Sequence, residues 1–249
     1  MSAEIQTPEV LLNFPQYGTA RRALGKVLHW RYRLFQERRH SRHAVLERIG
    51  DTRLVVLPGV LNPRLMRSGA FFASQLNVGL LGCGAAVLDM GTGSGVCAIA
   101  AARHARCVVA VDINPLAVRC AQINALINSL EHTIEVLQGD LFAPLKGRRF
   151  DVVLFNPPFI HGAPRNDADR AWRSTDVAAR FAADLRAHLT PAGFALLVLS
   201  TYGDPARFLE QLRHHQFGIT IVAARAFITE KLLLLRLRPP PDARSPLHE

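Results

Sequence analysis

The sequence lacks several features that would assign it to other classes of protein. It contains no apolar run of about eighteen residues, the length that a membrane-spanning helix needs. Its N-terminus carries Glu4, Pro8 and Glu9, where a secretory signal would need a basic start and an apolar stretch. The four cysteines form no C-x-x-C pair, so we predict free buried thiols, with no disulfide framework and no metal site. These absences predict a cytoplasmic protein with no membrane segment. The cysteines are Cys83, Cys97, Cys107 and Cys120.

Positive charge is in excess, and much of it lies near the N-terminus. The formal net charge is +10. Between Arg21 and Arg48 the chain has nine arginines and lysines but only the acids Glu37 and Glu47. This basic segment is a candidate contact for RNA, and the alternative is the solvated face of an amphipathic helix. Charge alone does not separate the two.

Strand-like and helical patterns alternate along most of the chain. Residues up to about 57 predict a basic helix and a hairpin that turns at Gly50 and Asp51. From Ala85 onward, seven short apolar runs typical of strands are separated by helical patterns. This order predicts an α/β fold with a doubly wound, seven-stranded, mostly parallel sheet. We therefore predict an N-terminal helix and hairpin extension (1–57), a main domain (58–238) and a flexible tail (239–249).

Glycines and an acidic residue follow the first two predicted strands of the main domain. The first strand leads into "DMGTGSG", residues 89–95. Glycines there let the backbone turn tightly and approach a ligand, and the next helix offers its first N–H groups to an anion. The second strand ends at Asp112, whose carboxylate can accept hydrogen bonds from a ribose diol. Both features fit either a nicotinamide or an adenosyl ligand, since Gly93, Gly95 and Ala98 also match the G-x-G-x-x-A pattern.

The third strand ends in "QGDLF", which predicts Asp140 and Leu141 at the same rim of the sheet. A carboxylate there can accept from an exocyclic amine such as that of adenine, while Leu141 and Ile113 sandwich the ring. The alternative is a surface turn built on Gly139 and Asp140.

The fourth strand ends in N-P-P-F, residues Asn156 to Phe159. Pro157 and Pro158 stop the strand rigidly, which fixes the Asn156 side-chain oxygen and the Pro157 carbonyl. Two acceptors that converge on one point suit an NH₂ group whose lone pair is delocalised into a π-system. They stabilise the charge that develops as this nitrogen becomes tetrahedral. Phe159 offers a flat face on which a planar amide or base can stack.

This set of motifs resembles the class I S-adenosylmethionine-dependent methyltransferases over roughly residues 56–238. Within the class, "VLFNPPF" is similar to the [N/D]-P-P-[Y/F] motif of enzymes that methylate planar nitrogens. These include the HemK-like protein glutamine methyltransferases and the RsmC-like ribosomal RNA guanine methyltransferases. The upstream "LPGVLNPRLMRSG" is similar to a segment that precedes the catalytic domain in both groups. Two departures are Phe159, where HemK-like enzymes usually have tyrosine, and Pro63-Arg64, near which they more often have acidic residues.

The resemblance implies a Rossmann-like methyltransferase fold, S-adenosylmethionine as cofactor and a role for each motif. Cofactor contacts are implied for three groups: Asp89, Gly91, Thr92, Gly93 and Gly95 at the methionine end, Asp112 at the ribose, and Asp140, Ile113 and Leu141 at the adenine. The implied catalytic residues are Asn156, Pro157, Pro158 and Phe159, with Asn156 also close to the cofactor. The loop after Phe159 becomes a candidate substrate lid, with Trp172 and three arginines, Arg165, Arg170 and Arg173.

Several functions stay open at this stage. The first is methylation of a macromolecule, either the glutamine amide of a protein such as a release factor or the exocyclic amine of an RNA base. A small-molecule methyltransferase uses the same chemistry. The glycines and Asp112 also permit a nicotinamide-dependent oxidoreductase, although N-P-P-F has no role in hydride transfer. A non-catalytic cofactor-binding module is the fourth reading, and the intact Asn156 and glycine loop argue against it.

Overall fold

A computed structural model describes residues 43–163, 173–228 and 230–240 of the chain. Eleven strands lie in these residues. They are β1 (Val45–Ile49), β2 (Thr52–Val56), β3 (Ala86–Met90), β4 (Cys107–Asp112), β5 (Ile134–Gln138), β6 (Phe150–Phe155), β7 (Ile160–His161), β8 (Arg173–Ser174), β9 (Leu189–Ser200), β10 (Gly218–Ala226) and β11 (Lys231–Arg238). The helices are α1 (Ser68–Gln75), α2 (Val78–Leu81), α3 (Val96–Ala102), α4 (Pro115–Ile127), α5 (Val177–Leu185) and α6 (Pro205–His214), with 3-10 turns at Ala143–Leu145 and Arg186–His188.

Seven of the strands form one sheet in the order β10-β11-β9-β6-β3-β4-β5. Strands β3, β4, β5, β6 and β9 pair in parallel, while β11 runs antiparallel to both of its neighbours. The sheet is therefore mostly parallel, and the predicted seven-stranded α/β fold is confirmed. Its centre is β6 and β3, the strands that carry the N-P-P-F and glycine motifs at their carboxyl ends.

Alternate residues of the central strands pack into two hydrophobic clusters on opposite faces of the sheet. On β6, Val153 and Phe155 belong to the cluster that contains Phe181 of α5. Val152 and Leu154 belong to the other cluster, which α1 and α3 also enter. Burial on both faces explains why these strands appear in the sequence as continuous apolar runs.

The predicted hairpin is present as β1 and β2, and it packs against the main domain. The link is the side chain of Asn124 on α4, which is fully buried. Its Oδ1 accepts from Val55 N at 2.7 Å, and its Nδ2 donates to Val55 O at 2.7 Å and to Ser94 O at 2.8 Å. One amide thus ties the hairpin to the glycine loop. The domain boundary at residue 57 stays a proposal.

Some expectations need correction, and others fall outside the described residues. The spacer after α1 contains the short helix α2, which begins where Asn77 Oδ1 accepts from Leu80 N at 3.0 Å. The prediction of buried cysteines is wrong for Cys83, which is exposed, and Cys107 is half-buried. The basic segment up to residue 42, the lid residues 164–172 and the tail 241–249 lie outside the described residues. Of the helices described, none is long and apolar enough to cross a membrane.

Candidate active site

Most of the predicted site residues meet in one cleft at the carboxyl ends of four parallel strands. Parallel strands bring the loops that follow them to the same edge of a sheet, which is where ligands of such folds bind. The cleft is lined by Gly91–Ser94 after β3, Asp112–Asn114 after β4, Gly139–Leu141 after β5, and Asn156 and Pro158 after β6. A fifth wall comes from residues between β2 and α1.

The glycine loop is shaped by backbone conformation and by a close approach. Gly95 precedes α3 with a φ of 80°, and a Cβ at this position would lie 3.2 Å from the Cβ of Ala121. Only glycine meets both conditions without strain. Hydrogen bonds from Thr92 N to Val111 O, at 3.0 Å, and from Gly93 N to Asp112 Oδ2, at 2.8 Å, attach the loop to β4. The loop is therefore already ordered by contacts within the protein.

The carboxylate of Asp89 holds this glycine loop by hydrogen bonds. Its side chain is buried, and its Oδ2 accepts from Thr92 Oγ1 at 2.6 Å and from Ala98 N at 3.0 Å. The pKa of Asp89 is raised to about 7, chiefly by burial and to a smaller extent by the charge of Asp112, although the two hydrogen bonds oppose the rise. Asp89 is not among the residues that line the cleft in the described part of the chain. Its contact with a methionine group stays a prediction.

Asp112 lies at the rim with both carboxylate oxygens engaged. Its Oδ2 accepts from Gly93 N, and its Oδ1 accepts from Asn114 N at 2.9 Å. Burial raises the pKa of Asp112, although hydrogen bonds from backbone N–H groups oppose the rise. Since each carboxylate oxygen has two acceptor sites, Asp112 retains acceptor capacity for a ligand diol.

Asp140 is joined to a residue that the sequence did not single out. Arg180 of α5 donates through Nη2 to Asp140 Oδ2 at 2.7 Å. The hydrogen bond and the charge of Asp140 raise the pKa of Arg180, although desolvation opposes the rise. Ile113 and Leu141 lie beside Asp140 in the cleft, as expected for residues that enclose a ring.

Asn156 carries an unused acceptor. Its Nδ2 donates to Ser68 Oγ at 3.2 Å, which fixes the orientation of the amide. Its Oδ1 is buried and has no hydrogen-bond partner among the residues that the structure describes. A buried acceptor without a partner costs free energy, on the order of 1–3 kcal/mol, and such groups call for an explanation. Ser68 is itself buried, at the first residue of α1.

The other three residues of the N-P-P-F motif differ in whether they line the cleft. Pro158 lines the cleft, whereas neither Pro157 nor Phe159 is among the lining residues of the described chain. The Phe159 carbonyl accepts from Asp204 N at 3.0 Å, and its side chain packs against a hydrophobic cluster. Stacking of a substrate on Phe159 stays a prediction.

Sequence reasoning assigned no role to the wall formed between β2 and α1, residues 59–69. Asn62, buried in this wall, donates from Nδ2 to Glu47 Oε1 at 2.8 Å and accepts at Oδ1 from Arg64 N at 3.0 Å. Arg64 also pairs with Glu47 Oε2 at 3.0 Å. Glu47 of strand β1 thus holds one wall of the cleft. In the sequence, only the resemblance of "LPGVLNPRLMRSG" to a family segment indicated that these residues belong to the site.

A mostly parallel sheet in this order, with a glycine loop and two acids at successive strand ends, defines the class of Rossmann-like methyltransferases. A model of the methyltransferase small domain family matches residues 52–224. The chain therefore belongs to the methyltransferase small domain family, and it is an S-adenosylmethionine-dependent methyltransferase. The predicted recognition, enzyme class and cofactor are confirmed.

Individual relatives span both substrate types that the sequence left open. The ribosomal RNA small subunit methyltransferase C of Alcanivorax borkumensis is 36% identical over 172 residues, which are 69% of this chain and 49% of the relative. The release factor glutamine methyltransferase of Gloeobacter violaceus is 34% identical over 183 residues, 68% of this chain and 64% of the relative. The chain thus spans about half the length of the first relative.

A solved structure supports the fold. The T. thermophilus 16S rRNA N2 methyltransferase RsmC, solved in complex with AdoMet and guanosine, matches with a TM-score of 0.53. It is 24% identical, and the match covers 79% of this chain and 50% of that one. At this identity the likeness concerns the architecture of the sheet and its helices.

Proposed function

We propose that the protein methylates a planar nitrogen of a macromolecule, either a protein glutamine amide or the exocyclic amine of an RNA base. The observation that carries the proposal is the buried Oδ1 of Asn156, which has no partner in the described structure and adjoins the cleft. An acceptor held in this way is suited to an N–H that arrives with the substrate. Relatives act on a release factor and on ribosomal RNA, as their names state, so both substrates stay in the proposal.

The residues of the cleft fit the cofactor of the family. S-adenosylmethionine supplies, when bound, an electrophilic methyl group on a positively charged sulfonium. Asp112 would accept from the ribose hydroxyls, Asp140 from the adenine amine, and Gly91–Ser94 would receive the amino acid end. Ile113 and Leu141 would enclose the adenine ring.

On the substrate side, the chain positions the nitrogen and stabilises its charge. Asn156 Oδ1 would accept one N–H of the NH₂ group, and the Pro157 carbonyl the other. Both N–H groups become more acidic as the nitrogen forms its new bond, so these hydrogen bonds strengthen in the transition state. The excess proton can leave after transfer, so no side chain is needed as a general base. Ser68 keeps the Asn156 amide from rotating its oxygen out of position.

The test is methyl transfer from labelled S-adenosylmethionine into a host lysate, followed by separation of protein, RNA and small molecules. We expect the wild type to label one macromolecular fraction and Asn156→Ala to leave it unlabelled. Label confined to small molecules would contradict the macromolecular substrate. Equal labelling by the variant would remove Asn156 from the mechanism.

A further inference from the structure

A pair of arginines lies at the same edge of the sheet as the cleft. Strand β10 runs parallel to β9 and β6, because both β9 and β10 pair antiparallel with β11. The carboxyl end of β10 therefore lies at the edge where Asn156 follows β6. Arg225 and Phe227 are at this end of β10, and Arg67 directly precedes Ser68, the residue that holds Asn156.

Arg67, Arg225 and Phe227 form one cluster, which we call the arginine platform. The guanidinium carbon of Arg67 lies 4.8 Å from the centroid of the Phe227 ring, and that of Arg225 lies 5.4 Å from it. Phe227 is half-buried and packs against a core cluster, so the ring has a fixed support. Both arginines are exposed. Stacking on a ring leaves the N–H groups at the edge of a guanidinium free to donate.

Neither arginine of the platform has an acidic partner among the described residues. Elsewhere, Arg64 pairs with Glu47 and Arg148 with Glu135. The acid nearest in sequence, Glu230, instead accepts from Ser200 Oγ at 2.8 Å. Two uncompensated positive charges held against one ring favour an anionic ligand.

The backbone conformation of Arg67 also indicates that the arginine platform is a functional site. Arg67 has a φ of 31°, in the region that favours glycine. A non-glycine residue held there costs on the order of 1–3 kcal/mol, and such strain concentrates at functional sites. The strained turn directs the chain into α1 and carries Arg67 next to the ring of Phe227.

We propose that the arginine platform binds the phosphate backbone of single-stranded RNA beside the nucleotide whose nitrogen enters the cleft. Guanidinium groups match phosphate oxygens in geometry and charge, and arginine with an aromatic ring is a common surface for single-stranded RNA. The inference rests on the proposed function and narrows its substrate from protein or RNA to RNA. An acidic protein segment is the competing partner.

The test compares two double variants that remove the same charge at opposite edges of the sheet. Arg67→Gln/Arg225→Gln removes the platform arginines. Arg106→Gln/Arg213→Gln is the matched control, because Arg106 precedes β4, Arg213 lies in the last turn of α6, and both are exposed at the amino edge of the sheet. Each protein is titrated into a fluorescein-labelled RNA 20-mer of mixed sequence, and anisotropy is followed at several potassium chloride concentrations.

We expect the platform variant to bind at least tenfold more weakly than wild type, and the control within about threefold of it. Two lost phosphate contacts should also reduce the slope of log affinity against log salt by about 1.4. Equal losses in the two double variants would overturn the proposal. A second titration uses a labelled poly-glutamate peptide. The proposal is also overturned if the platform variant binds this peptide more weakly than wild type but binds the RNA equally well. Arg225→Gln alone, at an exposed strand end, repeats the test if the double variant melts early.

The outcome separates this inference from the proposed function. Methyl transfer by Asn156→Ala tests the proposed function, whereas RNA binding by the platform variant tests the arginine platform. If Asn156→Ala loses methyl transfer while the platform variant binds RNA normally, the proposed function stands and the platform assignment is wrong. If the platform variant loses RNA binding while label enters protein, the platform binds RNA but the substrate assignment is wrong.

Discussion

The two sides of the cleft differ in whether their polar side chains have hydrogen-bond partners within the protein. On the cofactor side, the buried carboxylate of Asp89 and the half-buried carboxylate of Asp112 accept hydrogen bonds from the glycine loop and from residues near it. On the substrate side, Asn156 keeps one buried acceptor without a partner among the described residues. The cofactor side is thus stabilised by its own contacts, whereas the substrate side keeps a group that only a ligand can satisfy.

This difference indicates that substitutions on the two sides of the cleft should change different measured properties. A satisfied loop can hold its shape before any ligand binds, so substitutions there should change stability and cofactor affinity. An unsatisfied acceptor contributes nothing favourable to the folded state and gains its partner during the reaction. Substitutions at Asn156 should therefore change turnover most.

The largest effect is expected for Asn156→Ala. Turnover should fall on the order of a hundredfold to a thousandfold, as when one preorganised transition-state partner is lost, while cofactor affinity stays near wild type. Calorimetry with S-adenosylmethionine and initial methyl-transfer rates measure the two quantities. If Asn156→Ala lost cofactor affinity but kept its turnover, Asn156 would belong to the cofactor side of the cleft and not to the substrate side.

Next in size is the pH dependence that Asp89 confers. Its pKa is about 7 in the folded chain and near 3.8 when unfolded, so the folded state binds more protons between these values. Its contribution to stability is therefore fully present below pH 3.8 and is lost as pH rises through 7. Asp89→Asn, which keeps an acceptor for Thr92 and Ala98, should be more stable than wild type at pH 8.5 by roughly 2–3 kcal/mol, with little difference near pH 4. Denaturant unfolding at both pH values measures this, and parallel profiles would contradict it.

Asp112→Ala should weaken cofactor binding by roughly 1.5–3 kcal/mol, the usual contribution of hydrogen bonds to a charged group. The variant also removes the acceptor of Gly93 N, so its unfolding free energy should be measured beside the calorimetric affinity. Unchanged affinity in a folded variant would remove the ribose assignment.

Two glycines of the same loop offer a matched pair. A Cβ at Gly95 would lie 3.2 Å from Ala121, whereas a Cβ at Gly93 meets nothing within 4 Å, and φ is positive at both. Gly95→Ala should therefore destabilise the fold by about 2 kcal/mol and Gly93→Ala by about 1 kcal/mol. Chemical denaturation compares them. Equal values would show that backbone conformation alone, without the contact to α4, accounts for the cost.

The smallest effect is expected for Ser68→Ala. Without the Ser68 hydroxyl the Asn156 amide can rotate, so turnover should fall about fivefold, close to the net contribution of one hydrogen bond. Ser68→Thr should retain most of the activity. In the Asn156→Ala background the same substitution should change turnover no further, and an additive loss would show that Ser68 acts independently of Asn156.

Much of the fold could be predicted because its signals are local. Apolar runs buried on both faces and an alternating order of strands and helices lead to a parallel sheet, and a sheet brings its strand ends together. Asp112, Asp140 and Asn156 could therefore be placed in one cleft from the sequence. The partners of these residues could not be predicted, because Ser68 and Arg180 lie 88 and 40 positions from the residues they bind. Such contacts depend on how loops and helices dock, which no short pattern encodes.

The position of Phe159 shows a second limit. The motif predicts an aromatic ring beside the target nitrogen, and this stays a prediction, because a sequence pattern does not fix the direction of a side chain after two prolines. In the structure the ring packs against a hydrophobic cluster, and the carbonyl of Phe159 binds the backbone before α6.

The Asn124 amide has a consequence for how the catalytic unit can be cut out of the chain. It bonds three backbone groups, and two of them belong to Val55 in the hairpin. A fragment that starts at residue 58 would leave the Asn124 amide, in the middle of α4, with one of its three backbone partners, the carbonyl of Ser94 in the glycine loop. Shortening the protein at the predicted boundary, residue 57, would therefore weaken the contacts that hold the glycine loop, so an expression fragment should start before Val45.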